Sequence, residues 1–289
     1  MIELYLFEQL LAFARCGTLS LASEELHISQ PALSQSMKKL EEQVGVSLFE
    51  RTKNRLVLNE TGRLTVDCAK ELLRKEEEII ERIRLFDRAN RTICFGACAP
   101  VPVSDIVPLL TQLYNEMTVS SELKNTDEEL WNGLDRGTYQ MIVVHERVRR
   151  EEGFFIYPYR QEHLCLLVPV NHPLAEYKEI HLADLADQNL LLYTHIGFWY
   201  ELCKKELSTA HFLYMNERDA FEQVAGVGAF PSFTTDAFWE NGREREAERG
   251  KVVIPIVDEI VNVTYYFVCW MHEKQRFLPL IKRLEQFWH

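Results

Sequence analysis

From Thr61 to about Phe86 the chain has no proline, and its only glycine is Gly62, so nothing interrupts a helix there. Leu72, Ile79, Ile83 and Phe86 fall on one stripe flanked by Leu73 and Ile80, while Lys75, Glu76, Glu77, Glu78, Arg82 and Arg84 occupy the other sides. A helix of about 25 residues spans on the order of 40 Å, more than the short segment before it can bury. The chain therefore reads as multidomain. Its stripe either lies along the following domain or meets the same helix of a second chain. A length of 289 residues agrees, since it exceeds one typical domain.

The segment before that helix reads as three short helices. Leu4, Phe7, Leu10, Leu11 and Ala14 recur at spacings of three and four, and Gly17 suits the position past a helix end. Ser20 is read as the cap of a second helix holding Ala22, Glu25 and Leu26, and His27-Ile28 as a tight connection. Ser29 then caps a third helix with Pro31 in its first turn, where a missing N–H costs nothing. Ala32 or Leu33, Met37, Leu40 and Val44 should pack inward. Gln30, Ser34, Gln35 and Lys38 share the opposite side as donors and acceptors suited to base edges and phosphates. An ordinary three-helix surface would show similar periodicity. The stretch after Gly45 adds what such a surface lacks: Arg51, Lys53 and Arg55 around a turn, followed by a short return strand at Leu56, Val57 and Leu58. A cationic turn between two brief strands is a wing, able to reach phosphates or the minor groove.

Within "SLASEELHISQPALSQSMKKLEEQVGVSLFERTKNRLVLNETG" (20–62), the ordered positions Gln30-Pro31, Ser34, Leu40-Glu41, Gly45, Leu48-Phe49-Glu50-Arg51 and Thr61-Gly62 resemble the LysR-type transcriptional regulators. Gln35 stands where many members carry arginine, so no base preference carries over. The resemblance implies an α+β multidomain protein. A winged helix-turn-helix over 1–60 is followed by a linker and dimerisation helix over 61–90. A two-lobed, periplasmic-binding-protein-like α/β effector-binding domain follows over 91–289. Lobe I is expected near 91–160 and 263–289, and lobe II near 161–262. It also implies partners: double-stranded DNA, a small-molecule effector, and copies of the same chain as a homodimer through the linker helix and a homotetramer beyond it.

The charge balance fits a local reader. Net charge is −12, and even residues 1–62 hold six bases (Arg15, Lys38, Lys39, Arg51, Lys53, Arg55) against eight acids (Glu3, Glu8, Glu24, Glu25, Glu41, Glu42, Glu50, Glu60). The bases cluster on the polar helix and the wing, so acid elsewhere limits non-specific adhesion to nucleic acid.

After Asn90 the texture becomes short apolar runs alternating with helical patterns. Strands are expected at 93–96, 119–123, 141–144, 164–168, 190–193, 252–256 and 263–270, and helices near 104–115, 127–134, 198–207, 217–225 and 275–287. The alternation predicts a mainly parallel arrangement with too many strands for one compact sheet. "HPLA" (172–175), "LADL" (182–185) and "VAGVGAFPSF" (224–233) resemble landmarks of the family's second lobe, the last in a shortened form. The chain should cross between lobes near Arg160 and return near Asn262. By the resemblance, an effector between the lobes would meet Cys98, Ala99, Pro100 and Val101, then Asn125, Asp127 and His145. From the second lobe it would meet Thr194, His195, Phe198 and Ser232. No lysine or arginine falls at these positions, and His195, Phe198 and Trp199 suit a partly aromatic or mildly polar compound. For each of these residues, loop-end packing is the plainer alternative.

Other function classes find little support. There is no G-x-S-x-G, G-x-G-x-x-G, G-x-x-x-x-G-K or H-E-x-x-H. An enzyme built of two α/β lobes therefore stands only as a rival reading, without catalytic residues. The nine histidines are dispersed, so neither a metal nor another cofactor is expected. Met1 to Phe13 lacks a basic leader, and no apolar run approaches the roughly 20 residues that cross a bilayer, so no membrane partner is expected. Seven cysteines without a repeating spacing predict free thiols in a reducing cytoplasm. A redox-sensing regulator using Cys98 is a further alternative. Peroxide-sensing relatives, however, place their cysteine in the second lobe, where the matching "YTHIGFW" has none.

Overall fold

A computed structural model describes residues 2–52, 55–146, 152–228, 230–239 and 250–287, without the side chains of residues 51, 52, 55, 238 and 239. The chain divides into two compact units, Met1–Arg84 and Leu85–His289.

In the first unit, α1 (Leu4–Cys16) ends at Gly17, whose φ of 73° is the left-handed conformation a helix stop requires. It buries Leu6, Phe7, Leu10, Ala12 and Phe13. Leu4, Leu11 and Ala14 of the expected face are only half-buried, because the helix is turned to set Leu6 and Phe13 into the core instead. Helix α2 (Leu19–Glu25) begins two residues earlier than expected, and Thr18 rather than Ser20 caps it by accepting from the Leu21 N–H at 3.3 Å. Helix α3 (Gln30–Val44) is capped by Ser29, whose Oγ accepts from the Ala32 N–H at 3.4 Å, and it stops at Gly45. Strands β1 (Phe49–Thr52) and β2 (Arg55–Leu58) pair antiparallel as the wing, with Thr52 opposite Arg55.

Helix α4 (Glu60–Ala89) buries Gly62, Val66 and Ala69 in this unit. The Asn59 Oδ1 starts it by accepting from the Gly62 N–H at 2.7 Å. A Cβ on Gly62 would lie 2.1 Å from the Leu48 carbonyl oxygen, so only glycine lets the helix press against the wing. Farther along, Leu72, Ile79, Ile80, Ile83 and Phe86 remain exposed, Ile83 at 66% and Phe86 at 74%.

Among the described residues, the second unit contains nine strands: β3 (Thr92–Ala97), β4 (Thr118–Leu123), β5 (Met141–Val144), β6 (Phe154–Pro169), β7 (Asn189–Tyr193), β8 (His211–Met215), β9 (Ser232–Thr235), β10 (Lys251–Pro255) and β11 (Asn262–Trp270). Helices α5 (Pro100–Leu113), α6 (Asp127–Arg136), α7 (Phe198–Glu206), α8 (Arg218–Val227), α9 (Asp236–Trp239) and α10 (Lys274–Leu284) intervene.

The expectation of separate, mainly parallel sheets is corrected by strand β6. Its first half pairs antiparallel with β11, from Phe154 opposite Trp270 to His163 opposite Asn262. Its second half pairs antiparallel with β9 and β10. One hydrogen-bonded path, β4-β3-β5-β11-β6-β9-β7-β8, therefore runs through both lobes, with β10 joined to β6. Among the described strands, parallel pairing lies inside each lobe, between β3 and its neighbours and between β7 and its neighbours. Strands β8 and β9 were not anticipated: β9 carries no apolar run, whereas the Phe212–Met215 run of β8 was passed over. Where β6 and β11 cross, the register slips between Tyr265 and Tyr266, leaving Tyr159 as the extra residue of a bulge.

Candidate nucleic-acid interface and interlobe contact

Helix α3 sorts its residues as its periodicity demands. Leu33, Met37 and Leu40 are buried, while Gln30, Pro31, Gln35 and Lys38 are exposed and Ser34 is half-buried. Ala32 is exposed, so Leu33 is the inward residue of that pair. Lys39 is drawn away from the polar face, forming an ion pair with Glu3 and lying 5.6 Å from the centre of the Tyr5 ring.

The wing is tied to α3 by a residue whose role the sequence alone did not expose. The Glu41 Oε1 accepts from the backbone N–H groups of Leu48 at 2.7 Å and Phe49 at 3.2 Å. It therefore sets the angle at which β1 leaves the helix. The backbone of Arg51 and Arg55 lies on the two wing strands. Their side chains, and Lys53 entirely, lie outside the described residues.

In the second unit, the ends of three adjacent parallel strands carry most of the expected first-lobe residues. Cys98 and Ala99 follow β3, Pro100 and Val101 open α5, Asp127 opens α6, and His145 follows β5. Cys98, Ala99, Val101 and Asp127 are buried, Pro100 and His145 are half-buried, and Asn125 is exposed. The Asp127 Oδ2 accepts from the backbone N–H groups of His145 at 3.0 Å and Glu146 at 2.9 Å, and Oδ1 lies 3.0 Å from the His145 Nδ1.

From the second lobe, Phe198 and Ser232 are buried, Thr194 is half-buried, and His195 is exposed. The Thr194 Oγ1 lies within hydrogen-bonding distance of the Met215 carbonyl, the Asn216 Oδ1 and the His195 Nδ1. The two lobes touch directly here. The Phe198 N–H donates to the Cys98 carbonyl at 2.9 Å, and the Phe198 ring stacks on His145. The N–H at the start of α7 that an anionic group would use is thus engaged by protein.

Behind this contact lies a buried polar group that sequence reasoning missed. Glu162, on β6, is 1% exposed and accepts from the Tyr265 hydroxyl. Burial pushes its carboxyl up to about 7, against the opposing pull of the Thr235 and Tyr265 hydroxyls. Its neighbour Arg160 is committed to Asp105, with Nη1 3.0 and 3.1 Å from the two carboxylate oxygens. The Cys98 thiol is likewise pushed well above its ordinary value, first by burial and then by Asp127 and Glu162. All seven cysteines are free. Among the described residues, no helix is long and apolar enough to cross a membrane.

Comparison with known proteins follows this division of the chain. Residues 4–63 match the model described as bacterial regulatory helix-turn-helix protein, lysR family, and residues 89–287 match the LysR substrate binding domain. The chain is 29% identical over 197 residues to the RuBisCO operon transcriptional regulator of Allochromatium vinosum, covering 66% of this chain and 62% of that protein. It is also 29% identical over 189 residues to the DNA-binding transcriptional dual regulator OxyR of Escherichia coli K12, covering 64% and 61%. The chain thus spans about three fifths of the length of these curated relatives. Among solved structures, Vibrio fischeri DarR in complex with DNA shares the fold at a TM-score of 0.62 and 16% identity, covering 98% of this chain and 99% of that one. A full-length OxyR from Pseudomonas aeruginosa does so at 0.53 and 20%, covering 98% and 100%. With a helix-turn-helix match at one end and a substrate-domain match over more than half of its length, the chain belongs to the LysR family.

Proposed function

We propose that this protein is a sequence-specific DNA-binding transcription regulator, active in the cytoplasm, whose output is set by a small molecule held between the C-terminal lobes. The observation that carries this reading is the face of α3. Leu33, Met37 and Leu40 lock it into the core, so Gln30, Pro31, Gln35 and Lys38 stand outward together. In this reading, residues 1–60 are the DNA reader. Ser29, Gln30, Pro31, Ser34, Gln35 and Lys38 approach the major groove, and Arg51, Lys53 and Arg55 of the wing hold phosphates or the minor groove.

Residues 61–90 form the dimerisation helix. The exposed stripe from Leu72 to Phe86 supports a second copy as its partner, because that much apolar surface on one helix is costly to leave in water. Dimers pairing again into tetramers would present several readers to a two-fold site. Residues 91–289 bind the effector, and a change in lobe geometry would alter reader spacing on DNA.

The test is a footprint on promoter fragments selected from a random library. The Ser34→Ala, Gln35→Ala double variant should keep its fold and lose site selectivity. Unchanged footprints would sink the assignment. An enzyme finds no support in a fold and family of regulators. Redox sensing through Cys98 is disfavoured, because its side chain is fully buried and closed to a dissolved oxidant.

A further inference from the structure

Strands β4, β3 and β5 end side by side. Each delivers one residue of a different ligand type: Asp127, Cys98 and His145. One carboxylate oxygen, the thiol sulfur and one imidazole nitrogen all lie within 4.8 Å of one another. We infer that Cys98, Asp127 and His145 form a three-ligand site for a zinc-class divalent cation at the edge of the first lobe.

Geometry comes first. Four-coordinate zinc binds sulfur, nitrogen and oxygen at about 2.0–2.3 Å, so its donors stand about 3.3–3.8 Å apart. Three donors already gathered within 4.8 Å need movements of about 1 Å to reach that arrangement. The imidazole must turn slightly off the Asp127 Oδ1, which it now meets at 3.0 Å.

The supports of the three ligands are already in place. Two backbone N–H groups hold the Asp127 Oδ2, which leaves Oδ1 turned toward His145. The Cys98 backbone is fixed at both ends, its N–H on the Val143 carbonyl at 3.0 Å and its own carbonyl on the Phe198 N–H at 2.9 Å. Stacking on Phe198 orients the His145 ring. Ligands held from behind in this way are how proteins prepare a metal site.

Charge and ligand softness select the ion. A buried carboxylate and a buried thiol lie together. Arg160, a nearby cation, is committed to Asp105. A thiolate and an imidazole favour zinc-class ions and disfavour magnesium or calcium, which prefer oxygen alone. On binding, the metal–sulfur bond forms as the S–H bond breaks, and the thiol proton leaves to solvent. Three protein ligands leave a fourth position open for water or a small anion. The site overlaps the region assigned to an effector, but the three donors meet whether or not an organic effector binds there. If it fails, an organic effector between the lobes stands untouched.

The test is a cobalt(II) titration of the full-length protein under reducing conditions, followed by absorption. The expected result is visible d–d bands of tetrahedral intensity together with a sulfur-to-cobalt charge-transfer band, both displaced by added zinc. Cys98→Ser should abolish the charge-transfer band. His145→Gln, at a half-buried position where folding is less at risk, should weaken cobalt binding at least tenfold. Cys68→Ser, at an exposed thiol elsewhere, should change nothing. Wild-type protein without the charge-transfer band would overturn the inference. So would a band that survives Cys98→Ser, or cobalt affinity unchanged in His145→Gln.

Discussion

The His145 and Phe198 rings stack with centroids 3.7 Å apart and planes 13° apart, joining the end of β5 in one lobe to the start of α7 in the other. Beside them a Cβ on Gly197 would lie 1.9 Å from the Cys98 carbonyl oxygen, and Gly197 has a φ of 65°. This contact makes the lobe arrangement sensitive to a single methyl group. Gly197→Ala should lose the Phe198–Cys98 hydrogen bond and destabilise the chain by about 2 kcal/mol or more. Gly226→Ala, inside α8 with open space around it, should be neutral or stabilising by about 0.5–1 kcal/mol. Chemical denaturation of both variants checks the pair, and equal midpoints would contradict the close approach.

Glu162 makes stability depend on pH with a definite sign. Its carboxyl is raised from 4.5 to about 7 in the folded chain, so the native state binds the proton more tightly than the unfolded state. The contribution is full below about pH 4.5 and is lost as pH rises through about 7. At the conversion of 1.36 kcal/mol per unit, it amounts to about 3 kcal/mol across that window. Glu162→Gln keeps an acceptor for the Tyr265 hydroxyl and removes the titration. Its stability measured from pH 5 to 8 should be flatter than wild type, and parallel curves would refute this assignment.

Glu41 holds two backbone donors at the base of the wing. Glu41→Ala would leave the Leu48 and Phe49 N–H groups without their carboxylate partner, at a cost of about 2 kcal/mol. DNA affinity should fall as well, because the wing loses its angle to α3. Thermal unfolding and gel-shift titration on the same samples test both effects. A variant with full DNA affinity would separate wing geometry from binding.

Lys38 stands exposed on the polar face of α3. If it contacts phosphate, Lys38→Ala weakens all sequences alike and lowers the slope of log affinity against log salt by about 0.9. Affinity measured at several salt concentrations gives the slope directly. Loss confined to one base position would instead make Lys38 a base reader.

Ile83 and Phe86 are the most exposed apolar residues of the α4 stripe. A charge at each position costs little in a lone chain but would be buried in a helix pair. Ile83→Glu with Phe86→Glu should therefore lower the oligomeric state measured by sedimentation, with the monomer's secondary structure intact. An unchanged mass would move the interface elsewhere.

The reader was legible because its determinants are local. Ser29, Pro31 and Gly45 delimit α3 within one stretch of chain, and spacings of three and four sort its faces. The same logic found α4 and its exposed stripe. It slipped where two local signals competed: Thr18 and Ser20 are both fair caps, and Thr18 is the one that accepts from the Leu21 N–H. In the second unit most strands with long apolar runs were visible; the Phe212–Met215 run of His211–Met215 was passed over, and Ser232–Thr235, without such a run, is made a strand by its pairing to β6.

Sequence alone determined the capped polar helix, the wing and the long helix, because backbone hydrogen bonds and side-chain periodicity act over a few residues. Only tertiary structure decided that β6 serves both lobes, that Glu162 is sealed beneath Tyr265, and that Cys98, Asp127 and His145 meet. Those residues are far apart along the chain, and parallel strands bring their ends together only once the whole sheet has formed. No short window of sequence carries the register that places them side by side.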